Sequence, residues 1–134
     1  MSRARPEVGN RVTLRRELTQ QDVDDFGRLS LDHNRLHFDP DFAATSFFGQ
    51  PIAHGLLGMA LVSGCLTELM GDGNAWLSAT ADFQHPMMVG DTLQATLTLT
   101  ALSRRGVATM NYEITNQNQE VLITGEVRSM RCSP

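Results

Sequence analysis

The chain has no lysine; all 11 of its Lys/Arg positions are arginine. That absence excludes Schiff-base chemistry, which needs a lysine amine, and the P-loop, whose lysine reaches the phosphates. Surplus positive charge is missing too. The formal net charge is −4, the wrong sign for a nucleic-acid surface. Cysteine is scarce: Cys65 falls in an apolar run, Cys132 lies near the C-terminus, and no CxxC spacing occurs. This argues against a zinc knuckle or a thioredoxin-like centre, and two thiols without a framework suit a reducing, cytoplasmic compartment. No hydrophobic run is long enough for a bilayer. Gly55–Met70, about 16 residues, would span about 24 Å as a helix, and it contains Gly55, Gly58, Ser63 and Gly64. It reads as a core helix, with no membrane partner. The arginine-rich start has no apolar h-region and is not a secretory signal. No repeat, low-complexity tract or linker divides the chain, so residues 1–134 read as one domain.

Most of what is present alternates with period two. Val8–Leu18 sets Val12 and Leu14 against Arg11, Thr13 and Arg15. Ala75–Gln84 sets Leu77, Ala79, Ala81 and Phe83 against Trp76, Ser78, Thr80 and Asp82. Thr92–Leu102 is the cleanest case, with Leu93, Ala95, Leu97, Leu99 and Ala101 on one side. Val107–Thr115 repeats the pattern with Ala108, Met110, Tyr112 and Ile114, and Glu120–Met130 completes it. Short turns at Gly71–Asn74, Val89–Asp91, Arg104–Gly106 and Asn116–Gln119 join these segments. Such patterning predicts four or five antiparallel strands with one covered face.

Two other segments have helical spacing. Thr19 and Asp22 have the spacing of a capping box, and Val23, Phe26 and Leu29 follow on one face of a helix ending near Ser30. Asp39 should cap a short turn that starts at Pro40. The run Gly55–Met70 carries one charge, Glu68, and is apolar nearly all round, so it must be buried on most sides. The economical arrangement is an α+β fold in which a curved antiparallel sheet wraps one long central helix.

The polar chemistry gathers just before that helix. Leu31–Asp39 is too polar and short for core, and reads as a turn holding Asp32, Asn34 and His37. Asp32 and His37 are five apart, off the facing positions of a regular helix, but a turn can aim both at one point. The Asn34 side chain can bond nearby backbone and shape that turn. A carboxylate and an imidazole meeting at one water can remove one proton and deliver another. His54-Gly55 then opens the long helix. Its first amides have no intrahelical partner and favour negative charge, and Gly55 admits a ligand close to the backbone. Taken alone, Asp32 and His37 would read as a cap and a surface imidazole; Asn34, His54 and Gly55 beside them turn the reading to function. His54 itself reads as support, fixing the loop before the helix. His33 and His37 have a metal-like i,i+4 spacing, but no glutamate follows as in H-E-x-x-H and the segment does not read as helix, so no metal is expected. Ser63 has no His–Asp relay near it in sequence, and Cys65 reads as a small core residue. Arg104 and Arg105 read as a solvated hairpin tip. Met59, Leu66 and the Phe47-Phe48 pair suit either core or an acyl tunnel.

Asp32-x-Asn34-x-x-His37 followed by Pro51-x-x-His54-Gly55 resembles the signature of MaoC-like, (R)-specific enoyl-CoA hydratases. The resemblance extends through Phe42–Ala44, Ser63-Gly64, Phe83-x-x-Pro86, Val89–Asp91 and Thr124–Glu126. It implies a hot-dog fold, usually a homodimer whose sheets join edge to edge. It implies syn addition of water to a trans-2-enoyl-CoA thioester, without a cofactor. Carried over by position, Asp32 and His37 are the catalytic pair, Gly55 supplies the N–H for the thioester oxygen, and Ser63 lies near the site. Either of the pair can take the water proton; the reading adopted makes Asp32 the base. Two rivals share the fold. A thioesterase would place an acid in or near the central helix, whereas Gly55–Leu66 has none and Glu68 is at the far end. A non-catalytic acyl-CoA binding subunit would have no use for Asp32 and His37.

Overall fold

The computed structural model describes residues 5–132. Met1–Ala4 and Ser133–Pro134 lie outside the described residues, and with them the start of the arginine-rich segment and both ends of the expected single domain. The strands are β1 (Arg11–Glu17), β2 (Asn74–Ala79), β3 (Asp82–Phe83), β4 (Thr92–Leu102), β5 (Val107–Thr115) and β6 (Val121–Arg131). They form one six-stranded antiparallel sheet in the order β1-β4-β5-β6-β2, with β3 also on β6. The alternation in β4 and β5 has the expected sense. Leu93, Ala95, Leu97 and Leu99 are buried, as are Ala108, Met110, Tyr112 and Ile114. The pattern stops at a register shift between Leu99 and Ala101, after which Ala101 is exposed.

Four helices accompany the sheet among the described residues: α1 (Gln20–Ser30), α2 (Arg35–Phe38), α3 (Pro40–Ala44) and α4 (Leu56–Met70). The Thr19 hydroxyl accepts the Asp22 N–H and the Asp22 carboxylate accepts the Thr19 N–H, the reciprocal box that starts α1. Asp39 caps α3 through the Asp41 and Phe42 amides. The long helix α4 runs across the inner face of the sheet. Gly58 packs on Ile123 of β6 and Ile114 of β5, Cys65 touches the Ala95 carbonyl of β4, and Gly64 lies over Leu14 of β1. This is the sheet-around-helix arrangement expected above. The helix is less enclosed than its composition predicts. Leu56, Ala60, Ser63, Gly64, Thr67 and Glu68 form an exposed stripe along it.

Two phase assignments are corrected. In α1, Leu29 is 78% exposed and Gly27 is buried instead. A Cβ on Gly27 would lie 2.6 Å from the Phe38 ring, so this glycine lets α2 pack under α1. In the segment expected as one strand, Ala75–Gln84, Trp76 turns to the core while Leu77 and Phe83 are 48% and 55% exposed. A register shift between Trp76 and Ser78 inverts the faces, and the strand breaks into β2 and β3.

The break has a visible cause. At Thr80 the chain crosses over Gly125 of β6, where any Cβ would collide with the Thr80 carbonyl. The Tyr112 hydroxyl donates to that carbonyl at 2.6 Å, and the Thr80 N–H donates to the Glu126 carbonyl at 2.8 Å. We expect Tyr112→Phe to cost about 1 kcal/mol, one net buried hydrogen bond. Gly125→Ala should cost more, about 3 kcal/mol, because backbone must move. Urea unfolding of the two variants measures both, and the order Gly125→Ala worse than Tyr112→Phe is the specific expectation.

Candidate active site

The site begins where α1 ends. Leu31 takes a left-handed conformation, φ 63°, and turns the chain back under the helix. Asp32 follows at once. Its N–H donates to the Ser30 hydroxyl, and its carboxylate accepts the Asn34 N–H at 3.1 Å. The Asn34 side chain in turn accepts the Leu36 N–H at 3.0 Å, capping α2. Four residues of the expected polar turn thus form one helical turn, Arg35–Phe38, which carries the His37 ring inward. The physical reason is that cap: Asn34 satisfies an amide that would otherwise disfavour so short a helix.

The segment Pro51–His54 faces this turn. The Ile52 N–H donates to the Leu36 carbonyl, and the Ala53 N–H donates to the Met87 carbonyl. His37 Nδ1 lies 2.6 Å from the Ile52 carbonyl, which can only accept. Nδ1 therefore carries a proton, and in the neutral ring Nε2 keeps its lone pair. His54 Nε2 lies 3.2 Å from the Asp32 carbonyl and must likewise donate. The two imidazoles stack with centroids 3.9 Å apart. His54 is 3% exposed, and its Nδ1 is buried without a partner among the described residues. Burial first, then the neighbouring His37, push its pKa below the usual histidine value, against the raising effect of the bond to Asp32. A protonated His54 would place a second N–H where no acceptor stands.

Functional atoms of Asp32, His37 and His54 all lie within 4.8 Å of one another. This trio, and not His33 with His37, holds the geometry of a possible cation site. Groups this close can share one water molecule. At the start of α4, the first turn bonds run from Leu57 N–H to the His54 carbonyl and from Gly58 N–H to the Gly55 carbonyl. The Gly55 and Leu56 amides precede that ladder, and no side chain caps the helix start.

A cavity of about 450 Å³ opens beside His37 and Gly55. Its apolar walls come from Phe48, Ile52, Phe83, Met87 and Ile123. The Phe83 ring lies directly against Gly55. Of the residues weighed as tunnel candidates, only Phe48 lines this cavity. Phe47 is 98% exposed, Leu66 is core, and Met59 sits 3.1 Å from the Tyr112 hydroxyl. His85 also lines it and donates from Nδ1 to the Val121 carbonyl. Ser63 is not brought to this cluster. It is exposed on α4, two turns beyond Gly55. The walls that residue-by-residue reading missed come from Phe83 to Met87 and from Ile123, and only the Phe83-x-x-Pro86 segment pointed to them.

The sequence profile of the MaoC like domain matches residues 4–121. The chain belongs to the MaoC-like family. The MaoC-like chain is 39% identical over 128 residues to an (R)-specific enoyl-CoA hydratase of Aeromonas caviae, covering 94% of this chain and 96% of that one. It is 38% identical over 89 residues to a 3-hydroxybutyryl-CoA dehydratase of Methylorubrum extorquens, covering 66% and 57% of the two. Among solved structures, the (R)-hydratase of A. caviae superposes with a TM-score of 0.88 at 38% identity, over 92% of this chain and 96% of that one. The unliganded R-hydratase PhaJ1 of Pseudomonas aeruginosa gives 0.87 at 29% identity, over 96% and 83%. These neighbours have the hot-dog fold.

The lowered pKa of His54 makes a stability prediction. The unfolded chain takes up a proton near 6.5, the ordinary value, that the folded chain refuses. The contribution is therefore fully present above that pH and is lost as pH falls below it. Urea midpoints at pH 7.5 and 5.5 should differ more for the wild type than for His54→Gln. An equal drop in both would remove His54 as the cause.

Proposed function

We propose that this MaoC-like chain adds water to trans-2-enoyl-CoA to give (R)-3-hydroxyacyl-CoA, or runs the reverse dehydration. The observation that carries the reading is the meeting of Asp32 and His37 beside an uncapped helix amide at the mouth of an apolar cavity. The likeness to an (R)-specific enoyl-CoA hydratase over nearly the whole chain supports it.

In this mechanism the acyl chain occupies the cavity between Phe48, Met87 and Ile123. The thioester carbonyl accepts the Gly55 N–H, and the start of α4 stabilises the charge that grows on that oxygen. One such donor contributes about 3–4 kcal/mol to the transition state. Water sits between the Asp32 carboxylate and His37 Nε2. Asp32 takes one proton as the water oxygen bonds to C3, and the C2=C3 electron pair moves toward the carbonyl. His37, held by the Ile52 carbonyl, orients that water; its Nε2 lone pair receives the proton from Asp32 and hands it to C2, so both side chains end as they began. With both additions from one side of the double bond, the product has one hand. This reading uses no cofactor and no metal: Asp32 and His37 carry the proton transfers and the Gly55 N–H the charge stabilisation. Asn34 shapes the turn and His54 buttresses His37; neither touches the reacting atoms. Ser63, exposed on α4, takes part only through a second subunit.

The same reading includes a homodimer of one-domain chains. The open stripe on α4 and the exposed Leu77 and Phe83 at the sheet edge supply a face for a second copy. Light scattering should give twice the 14.8 kDa of one chain; a monomer at micromolar concentration would refute this part. Cys65 and Cys132 are both free thiols, which suits the cytoplasm.

The chemistry is tested on crotonyl-CoA, following loss of enoyl absorbance. Asp32→Ala and His37→Ala should each lower turnover by at least about a hundredfold, the lower end for an acid–base group. Circular dichroism should show both folded. Near-normal turnover in either variant would remove that residue from the mechanism. Thiol release without enoyl loss in the wild type would favour the thioesterase.

A further inference from the structure

The backbone at position 55 does not itself demand glycine. Its φ of −56° and ψ of −35° are right-handed helical values that any residue adopts. What demands glycine is space. A Cβ on Gly55 would lie 2.6 Å from Cε1 and 2.7 Å from Cδ1 of the Phe83 ring. Three residues on, a Cβ on Gly58 would lie 2.6 Å from Cδ1 of Ile123. Phe83 of β3 and Ile123 of β6 are direct partners in the antiparallel ladder, so they stand side by side on one face. A pair of bulky side chains thus seats on a pair of glycines in the first turn of α4.

The strand that carries the ring is pinned on both sides of it. Upstream, the Thr80 N–H donates to the Glu126 carbonyl at 2.8 Å. Downstream, the Gln84 N–H donates to the Leu122 carbonyl at 2.8 Å, and the Gln84 side-chain amide donates to the Thr124 hydroxyl at 2.8 Å. Gly55 has little of its own to fix it. No side chain caps the helix there, and glycine has more backbone freedom than any other residue. A donor that stabilises developing charge works only if it is aimed beforehand.

We propose that Phe83 is a positioning residue for the reaction. Its ring, packed on the Cα of Gly55, fixes the direction in which the Gly55 N–H points at the thioester oxygen. This rests on the hydratase reading above. Phe83 also lines the cavity beside His37, so two roles have to be separated. A wall contributes equally to substrate and transition state, and its loss shows in KM. The aim of an amide is felt as charge grows, and its loss shows in kcat.

The test compares Phe83→Ala, Gly55→Ala and the double variant on crotonyl-CoA, with circular dichroism to show each folded. Phe83→Ala should lower kcat about tenfold, part of the about hundred- to thousandfold that losing one such donor costs, and leave KM within about twofold. Gly55→Ala should lower kcat as well, because its methyl pushes against the ring. In the double variant that methyl enters vacated space and restricts the backbone, so kcat should exceed that of Phe83→Ala. Urea midpoints should follow the same change of sign: Gly55→Ala destabilises beside the ring and not without it. A raised KM with kcat unchanged in Phe83→Ala makes the ring a wall only and overturns the proposal. A double variant slower than Phe83→Ala also overturns it. A wild type that hydrates nothing refutes the hydratase reading instead, and a second arm then decides. Acetoacetyl-CoA, whose enolate absorbs in the near ultraviolet, places charge on the thioester oxygen without turnover. Its enolate band on the wild type should fall about tenfold in Phe83→Ala and return in the double variant. In that arm, equal bands or none overturn the proposal.

Discussion

The hydrogen bond from His54 to the Asp32 carbonyl joins the two halves of the site. On one side stands the turn that ends α1; on the other, the segment that starts α4. Nothing covalent within 20 residues links them, and the bond spans 22 positions of sequence. It works only while His54 is neutral and buried, because its other nitrogen faces no acceptor. An unsatisfied buried group costs about 1–3 kcal/mol, and stacking on His37, Phe26 and Phe38 offsets part of that cost. The stack places His37, and the Ile52 carbonyl then settles which of its nitrogens carries the proton. One buried imidazole thereby sets the position of a second, half-buried one.

The remaining architecture serves that joint. The sheet supplies a rigid floor for α4, so the unpaired amides at its start stay where the turn needs them. Gly27 allows Phe38 to seat under α1, and Phe38 holds α2 against the core. Asp91 accepts the Met88 N–H and the Gln117 amide, steadying the loop whose Met87 carbonyl holds Ala53. Each of these contacts lies outside the reacting groups, yet each fixes a backbone atom that the reacting groups lean on.

Much of this is legible in the sequence. Period-two spacing in β4 and β5 depends only on a covered face, and Thr19 with Asp22 depends only on local geometry. The Asp32 to His37 turn and His54-Gly55 stood out because acid, imidazole and glycine are odd neighbours for an apolar helix. The phase of β2 was not legible. A bulge at Trp76–Ser78 adds one residue, and no periodicity reveals which residue is extra. Leu29 looked like core because helical spacing cannot say that Gly27 is the residue a neighbour needs. The cavity walls at Met87 and Ile123 arise from β-pairing across the sheet, which alternation alone does not specify.

The reacting groups all come from one stretch, Asp32 to Gly55, whereas half of the residues that line the cavity come from Phe83 to Met87 and from Ile123. Heritable change can therefore act on the two independently. Drift or recombination in the later segment can reshape the space for the acyl tail while proton transfer is untouched. A single ancestral scaffold could in this way diversify into enzymes of different appetite without passing through an inactive form.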